Sequence, residues 1–179
     1  SILSNFITLP LIEEFVKKMK KILFLVFLIL AFAEVKADEI DIIKFSDLKE
    51  IIEDKNNNLL VVNFWATWCA PCVKELHQFD ELKEKYKGQN VKVVLVSFDF
   101  ADQLSKRVIP FVEKRKVKSK VVLLDETDYN SFIDKIDPSW SGAIPATLMI
   151  DRRNGLKKRF FEKEFKEGQL DQTFTKFIN

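Results

Sequence analysis

The sequence predicts an α/β sandwich built on a mixed sheet. Three observations predict it. Residues 59–65 (LLVVNFW) form an apolar run broken only by Asn63, and 91–98 (VKVVLVSF) form a second, as strands covered on both faces do. Segments with helical spacing alternate with these runs. Near the end, 146–151 and 157–161 flank RRNG, a hairpin signal.

The elements follow in order. Ile40 to Lys44 reads as a short edge strand. Ser46 can cap a helix from Asp47 to about Lys55, with Leu48, Ile51 and Ile52 on one face, and NNN at 56–58 ends it. After the strand 59–65, helical spacing starts at Cys69 and runs to about Tyr86. Val73, Leu76, Phe79 and Leu82 make its buried stripe, and Gly88 stops it. The strand 91–98 is followed by a helix over 102–116, which Pro110 should bend or interrupt. Lys120 to Leu124 is a third buried strand and Asn130 to Ile136 a short helix. After the hairpin, Leu170, Phe174 and Phe177 place a last helix on the sheet.

The chain of 179 residues is 47% hydrophobic and 31% charged, which supports one domain with a real core. A net charge of +2 gives no reason to invoke nucleic acid or a strongly acidic partner. The basic stretch KRKVKSK at 114–120 reads as a solvated helix end and loop.

The N-terminus reads as a targeting segment. Met19-Lys20-Lys21 precedes twelve residues without a charge, Ile22 to Ala33, and small-residue exits follow at Ala33 and Ala37. Twelve residues of helix reach only about 18 Å, short of a hydrocarbon core of roughly 30 Å. The expected organisation is therefore 19–37 as a signal peptide and 38–179 as the domain, with 1–18 an upstream start-site artefact. An uncleaved anchor is the alternative. Either way the expected location is periplasmic or otherwise extracytoplasmic.

The only two cysteines, Cys69 and Cys72, sit three apart between a buried strand and a helix. A disulfide across so short a loop removes little unfolded-chain entropy, so a stapling role is weak. A closed zinc site needs four ligands, and the chain adds only His77; a c-type haem would need His where Val73 stands. Placed at the helix start, Cys69 faces free backbone N–H groups and the positive end of the helix dipole, which favour thiolate. Cys72 lies one turn on, close enough to attack a mixed disulfide on Cys69, and Pro71 fits the first turn because its missing N–H costs nothing there. The pattern favours a working redox pair.

The stretches VVNFWATWCAPCVKE and SGAIPATLMID resemble the extracytoplasmic thioredoxin-like reductases of the TlpA/ResA-like group, over nearly all of 40–179. The resemblance implies a thioredoxin fold with an extra αβ insertion, for which 102–136 has room. It implies Cys69 as attacking thiol, Cys72 as resolving thiol, a reversible disulfide between them, and Pro145 as a cis-proline beside it. Ile144 would then pair with an incoming peptide as an added strand. Trp68 and Pro71 would line the substrate surface, with Trp65 in the core and Trp140 either near that surface or packed. Asn63 stands where cytosolic thioredoxin carries a buried Asp. Glu75 matches an acid beside the thiols and would relay the proton of Cys72; the alternative is a surface Glu in the first turns of a helix. His77 departs from the pattern and should face solvent.

The implied activity is reduction of protein disulfides without a dissolved cofactor and without a metal. Implied partners are disulfide-containing exported proteins, including apocytochrome c, and a membrane thiol electron donor; the protein is expected to act as a monomer and to bind no nucleic acid. An oxidase or isomerase of the same fold and a non-catalytic peptide-binding module remain open. A peroxidase of related fold would keep a Thr two or three residues before a lone attacking Cys, which Thr67 meets only loosely.

Overall fold

A computed structural model describes residues 12–24 and 39–179. The chain divides into two units, 1–39 and 40–179. In the first, residues 12–24 form a helix, α1, exposed throughout. Most of the expected apolar segment, from residue 25 on, and both expected exits lie outside the described residues. No helix among the described residues is long and apolar enough to cross a membrane.

The second unit is organised around β2 (Leu59–Trp65), all seven residues of which are buried. Full burial of each large apolar side chain contributes roughly 1.5–3 kcal/mol, so this strand anchors the core. On one side it pairs in parallel with β3 (Val91–Ser97), Leu59 opposite Val91 and Trp65 opposite Ser97. On the other it pairs antiparallel with β5 (Ala146–Asp151), which pairs antiparallel with β6 (Lys157–Phe161). β4 (Lys120–Leu124) lies parallel beside β3, and β1 (Asp41–Ile43) lies parallel beside β4 at the edge. The order is β1-β4-β3-β2-β5-β6, a mixed sheet as the sequence predicts.

Alternation along β2 sends its side chains to two helical layers. Asn63 bonds to Glu75 of α3 (Ala70–Lys85), and Trp65 packs 5.3 Å from Phe111 of α4 (Ile109–Arg115). α6 (Gln169–Ile178) joins this layer through Tyr86 and Phe174. On the other face Phe64 packs against Phe98 and Trp140, and Phe45 of α2 (Phe45–Glu53) stacks on Phe132, which precedes α5 (Ile133–Ile136).

Several boundaries differ from the sequence reading. α2 begins at Phe45 with Lys44 as N-cap, because the Asp47 carboxylate accepts the Lys44 N–H at 2.8 Å; Ser46 is not the cap. Gly88 does not take the left-handed turn after α3. It lies in a 3-10 turn, Lys87–Gln89, and Asn90 adopts φ 54° instead. The expected helix over 102–116 is three pieces: a 3-10 turn Ala101–Gln103, a π turn Leu104–Val108, then α4. Pro110 lacks an N–H and its ring crowds the preceding turn, so regular α-helix starts only next to it. The expected helix over 130–136 is likewise a 3-10 turn, Tyr129–Ser131, followed by the single turn α5. α4 and β4 form the expected insertion, and β4 slots between β1 and β3.

Candidate functional site

β5 runs antiparallel to β2, with Ala146 opposite Phe64, so the start of β5 lies beside the end of β2. Topology alone therefore brings Ile144-Pro145 to the loop Ala66–Cys69. Cys69 is the N-cap of α3 rather than its first helical residue, and its Sγ accepts the Cys72 N–H at 3.4 Å. Cys69 and Cys72 form a disulfide with Cα atoms 5.3 Å apart. Cys72 is 0% exposed and Cys69 is 6% exposed, so only the first sulfur's residue reaches the surface. The Ile144–Pro145 bond is cis, and the Ile144 carbonyl oxygen lies 3.8 Å from Cys69 Sγ. Pro71 sits in the first turn of α3, half-buried. Trp68 is 60% exposed beside the disulfide in sequence, whereas Trp65 is fully buried.

Glu75 is not a surface residue. Its spacing from Cys72 puts both on the buried side of α3, and Val73, expected in the stripe, is only half-buried. Glu75 Oε1 accepts from Asn63 Nδ2 at 3.0 Å and Oε2 accepts the Phe165 N–H at 2.6 Å. Asn63 Nδ2 also faces Thr147 Oγ1 at 3.1 Å. Burial pushes the Glu75 carboxyl up to about 7, and the nearby Glu164 charge adds to this. The two donated bonds work in the opposite direction. A buried carboxyl whose proton comes and goes near neutrality, on the same helix face as Cys72, is a candidate proton acceptor.

Two clamps were not foreseen. Asp99, 3% exposed at the end of β3, accepts from the Thr67 N–H at 2.8 Å, the Thr67 hydroxyl at 2.5 Å and the Ser97 hydroxyl at 2.8 Å. It fixes the loop that delivers Trp68 and Cys69. The Ser-x-Asp pattern at a strand end was the available signal. Glu162 accepts from the Ser141 hydroxyl, the Ser141 N–H and the Ala143 N–H, which hold its carboxyl below the usual range. It fixes the loop before Ile144. Trp140 donates to the Ala143 carbonyl at 2.9 Å and packs on Phe64 and Phe160; it is 3% exposed, so its role is packing. Phe165 contributes only its backbone N–H, which no side-chain pattern advertises.

His77 faces solvent as expected and pairs with Glu167 at 3.1 Å. Among the described residues His77, Glu81 and Glu167 are the one trio whose ligand atoms come within 4.8 Å of one another. All three are exposed, and none is placed with the cysteines.

The chain is 29% identical over 117 residues to thiol-disulfide oxidoreductase ResA of Bacillus cereus, a match covering 65% of this chain and 62% of that protein. It is 33% identical over 63 residues to sporulation thiol-disulfide oxidoreductase A of Bacillus subtilis, 35% of this chain and 38% of that one. Among solved structures, a thioredoxin-related protein from Neisseria meningitidis serogroup B superposes with TM-score 0.54 at 22% identity, covering 66% of this chain and 84% of that one. A thioredoxin family protein from Chlorobium tepidum superposes with TM-score 0.55 at 17% identity, covering 68% and 81%. The fold is thereby a thioredoxin fold with an inserted αβ element. The family model described as the AhpC/TSA family matches residues 31–159, most of the chain; the chain belongs to the AhpC/TSA family.

Proposed function

We propose that this protein is an exported thiol–disulfide oxidoreductase that reduces disulfides in partner proteins. The observation that supports it best is the pair Cys69–Cys72, bonded across one turn at the start of α3, with Cys72 fully enclosed and Cys69 buried but for 6% of its surface. In the reduced protein the Cys69 thiolate, facing the Cys72 N–H, attacks one sulfur of a partner disulfide. A mixed disulfide forms and the partner's other sulfur leaves as thiolate. Cys72, deprotonated, then attacks Cys69 Sγ. The Cys69–Cys72 bond forms, and the partner leaves fully reduced with two electrons gained. Glu75 accepts the proton of Cys72.

Trp68, Pro71 and Ile144 form the surface that receives the partner, with the buried Pro145 next to Ile144 in the chain. The Ile144 backbone pairs with an extended peptide crossing the disulfide, a reading supported by its carbonyl oxygen lying 3.8 Å from Cys69 Sγ. A dithiol donor at the membrane returns the two electrons. The basic-then-apolar segment 19–33 supports export, and the cysteines of apocytochrome c are one protein disulfide within reach of this chemistry. The Thr67 hydroxyl is committed to Asp99, which disfavours a peroxidase role in which it would serve the attacking thiol.

Replacing Cys72 by Ser tests the chemistry. The variant should accumulate a mixed disulfide with a disulfide-bonded protein such as insulin, reversible by dithiothreitol, and the Cys69→Ser protein should not. Trapping through Cys72 would reverse the roles. The direction is tested by the reduction potential: a value near or below about −250 mV supports a reductase, and one near about −120 mV makes the protein a disulfide donor.

A further inference from the structure

The helical layer carrying α2 and α5 does not close over the whole sheet. Between α2, the end of α5 and the β5–β6 hairpin lies a cleft of about 980 Å³. Its lining is aliphatic and aromatic at the base: Phe45, Ile52, Ile136 and Ile150, with Leu156 of the hairpin at the edge. Leu156 is 73% exposed, an apolar side chain left largely uncovered among the described residues. Around this base stand five cations, Lys49, Lys55, Lys135, Arg152 and Lys158, against a single carboxylate, Glu53, which lies 3.8 Å from Lys49 in an exposed pair that a ligand carboxylate would have to displace or share. The whole chain carries a net charge of only +2, so this concentration of positive charge is local to the cleft.

The cations are also placed. Arg152 donates to the Ile52 and Asn57 carbonyls, Lys158 donates to the Ile136 carbonyl, and Lys135 lies 5.6 Å from the centre of the Phe45 ring. The wall carbonyls are thus already engaged, and what the cleft offers is a greasy base under a positive rim. The size is at the upper end for small-molecule pockets, about 300–1,000 Å³, and a ligand there needs few polar contacts if its head is charged.

We propose that this cleft binds a free amphipathic anion: an aliphatic chain on the base and a single carboxylate among Lys49, Lys135 and their neighbours. The site is separate from the thiols. Asn58, at the cleft, precedes the first residue of β2, and the cysteines follow its last, about 20 Å away along a seven-residue strand. Occupancy therefore does not require the cysteines, and the inference does not rest on the redox reading.

The test is titration of the full chain, methyl-labelled, with laurate, followed by NMR and calorimetry. Lauryl alcohol serves as the uncharged control, and a K49E/K135E chain as the variant. Laurate should shift the methyl signals of Ile52, Ile136, Ile150 and Leu156. The alcohol should bind at least about tenfold more weakly, and the double variant should lose about tenfold or more in laurate affinity. The variant should keep wild-type disulfide exchange, which shows that its fold is intact. Unmoved cleft methyls, equal binding of alcohol and acid, or undiminished binding by the variant would each overturn the proposal. Capture on phosphatidylglycerol vesicles through the cleft, without binding of free laurate, would overturn it in favour of a membrane surface.

Discussion

Replacing Glu75 by Gln tests the buried carboxyl directly. Glu75 is 1% exposed, and burial pushes its carboxyl from the ordinary 4.5 up to about 7. Below the lower value folded and unfolded chains both hold the proton, and the group adds no pH dependence. Between the two values the unfolded chain releases the proton while the folded one keeps it, so stability falls as pH rises. Above both, the folded protein carries the full cost of a buried charge. At about 1.4 kcal/mol per pKa unit, the cost is about 3 kcal/mol. The amide of the Glu75→Gln variant carries no charge, so this slope should vanish from it. The variant bears a constant cost, because Asn63 Nδ2 and the Phe165 N–H both donate to Glu75 and Gln has one carbonyl oxygen to meet them. One donor then faces an amide N–H₂, at about 1–3 kcal/mol. The assay is urea denaturation of both oxidised proteins at several pH values. The stability of wild type minus variant should fall by about 2.5 kcal/mol between about pH 5 and about pH 8. A difference that stays flat would refute the reasoning, because a carboxyl titrating at its ordinary value in both states produces no slope there. The same variant should flatten the dependence of mixed-disulfide resolution on pH near neutrality, if Glu75 serves Cys72.

Trp68→Ala should leave stability within about 0.5 kcal/mol, since the ring is 60% exposed, while raising KM for a protein disulfide; unchanged kinetics would remove Trp68 from the partner surface. Arg153→Gln should cost about 2 kcal/mol in thermal or chemical denaturation, because it strips Asp151, 2% exposed, of the guanidinium bonds that hold its carboxyl below the usual range. That loss should shrink as pH falls through the depressed Asp151 value, where the folded carboxyl also takes up a proton. Thr67→Val keeps the backbone bond to Asp99 and deletes the hydroxyl bond, a charge-assisted one worth about 1.5–3 kcal/mol in a denaturation assay; a neutral result would show that the Asp99 clamp is not holding the loop.

Much of this molecule was legible in one dimension. The bounds of β2, β4 and β5 coincide with mostly apolar runs, because a strand covered on both faces is largely apolar, and that is a local property; those of β6, an exposed edge strand, were marked by the RRNG turn instead. The start of α3 was legible to within one residue: Pro71 marks the first turn, and Cys69, read as the first helical residue, is the N-cap just before it. Segments whose conformation is a compromise between neighbours were read less well. Ser46 is a good cap by type, yet Asp47 reaches back to Lys44 and starts α2 earlier; Pro110 was seen as a break, but not the π turn that absorbs it.

Residue type and spacing determined by themselves that two cysteines would sit at a helix N-terminus behind a buried strand. Only the tertiary structure decided what surrounds them. Glu75 reads as polar and could have faced solvent. It is buried because Asn63 from β2 and the Phe165 N–H, 90 residues along the chain, both meet its carboxylate. Desolvation then sets its protonation, a quantity that depends on everything packed around the group and on no local pattern. The cleft beside α2 has the same origin. Its cations are scattered from Lys49 to Lys158 in a chain of nearly balanced charge, and only the sheet's pairing gathers them over one apolar base.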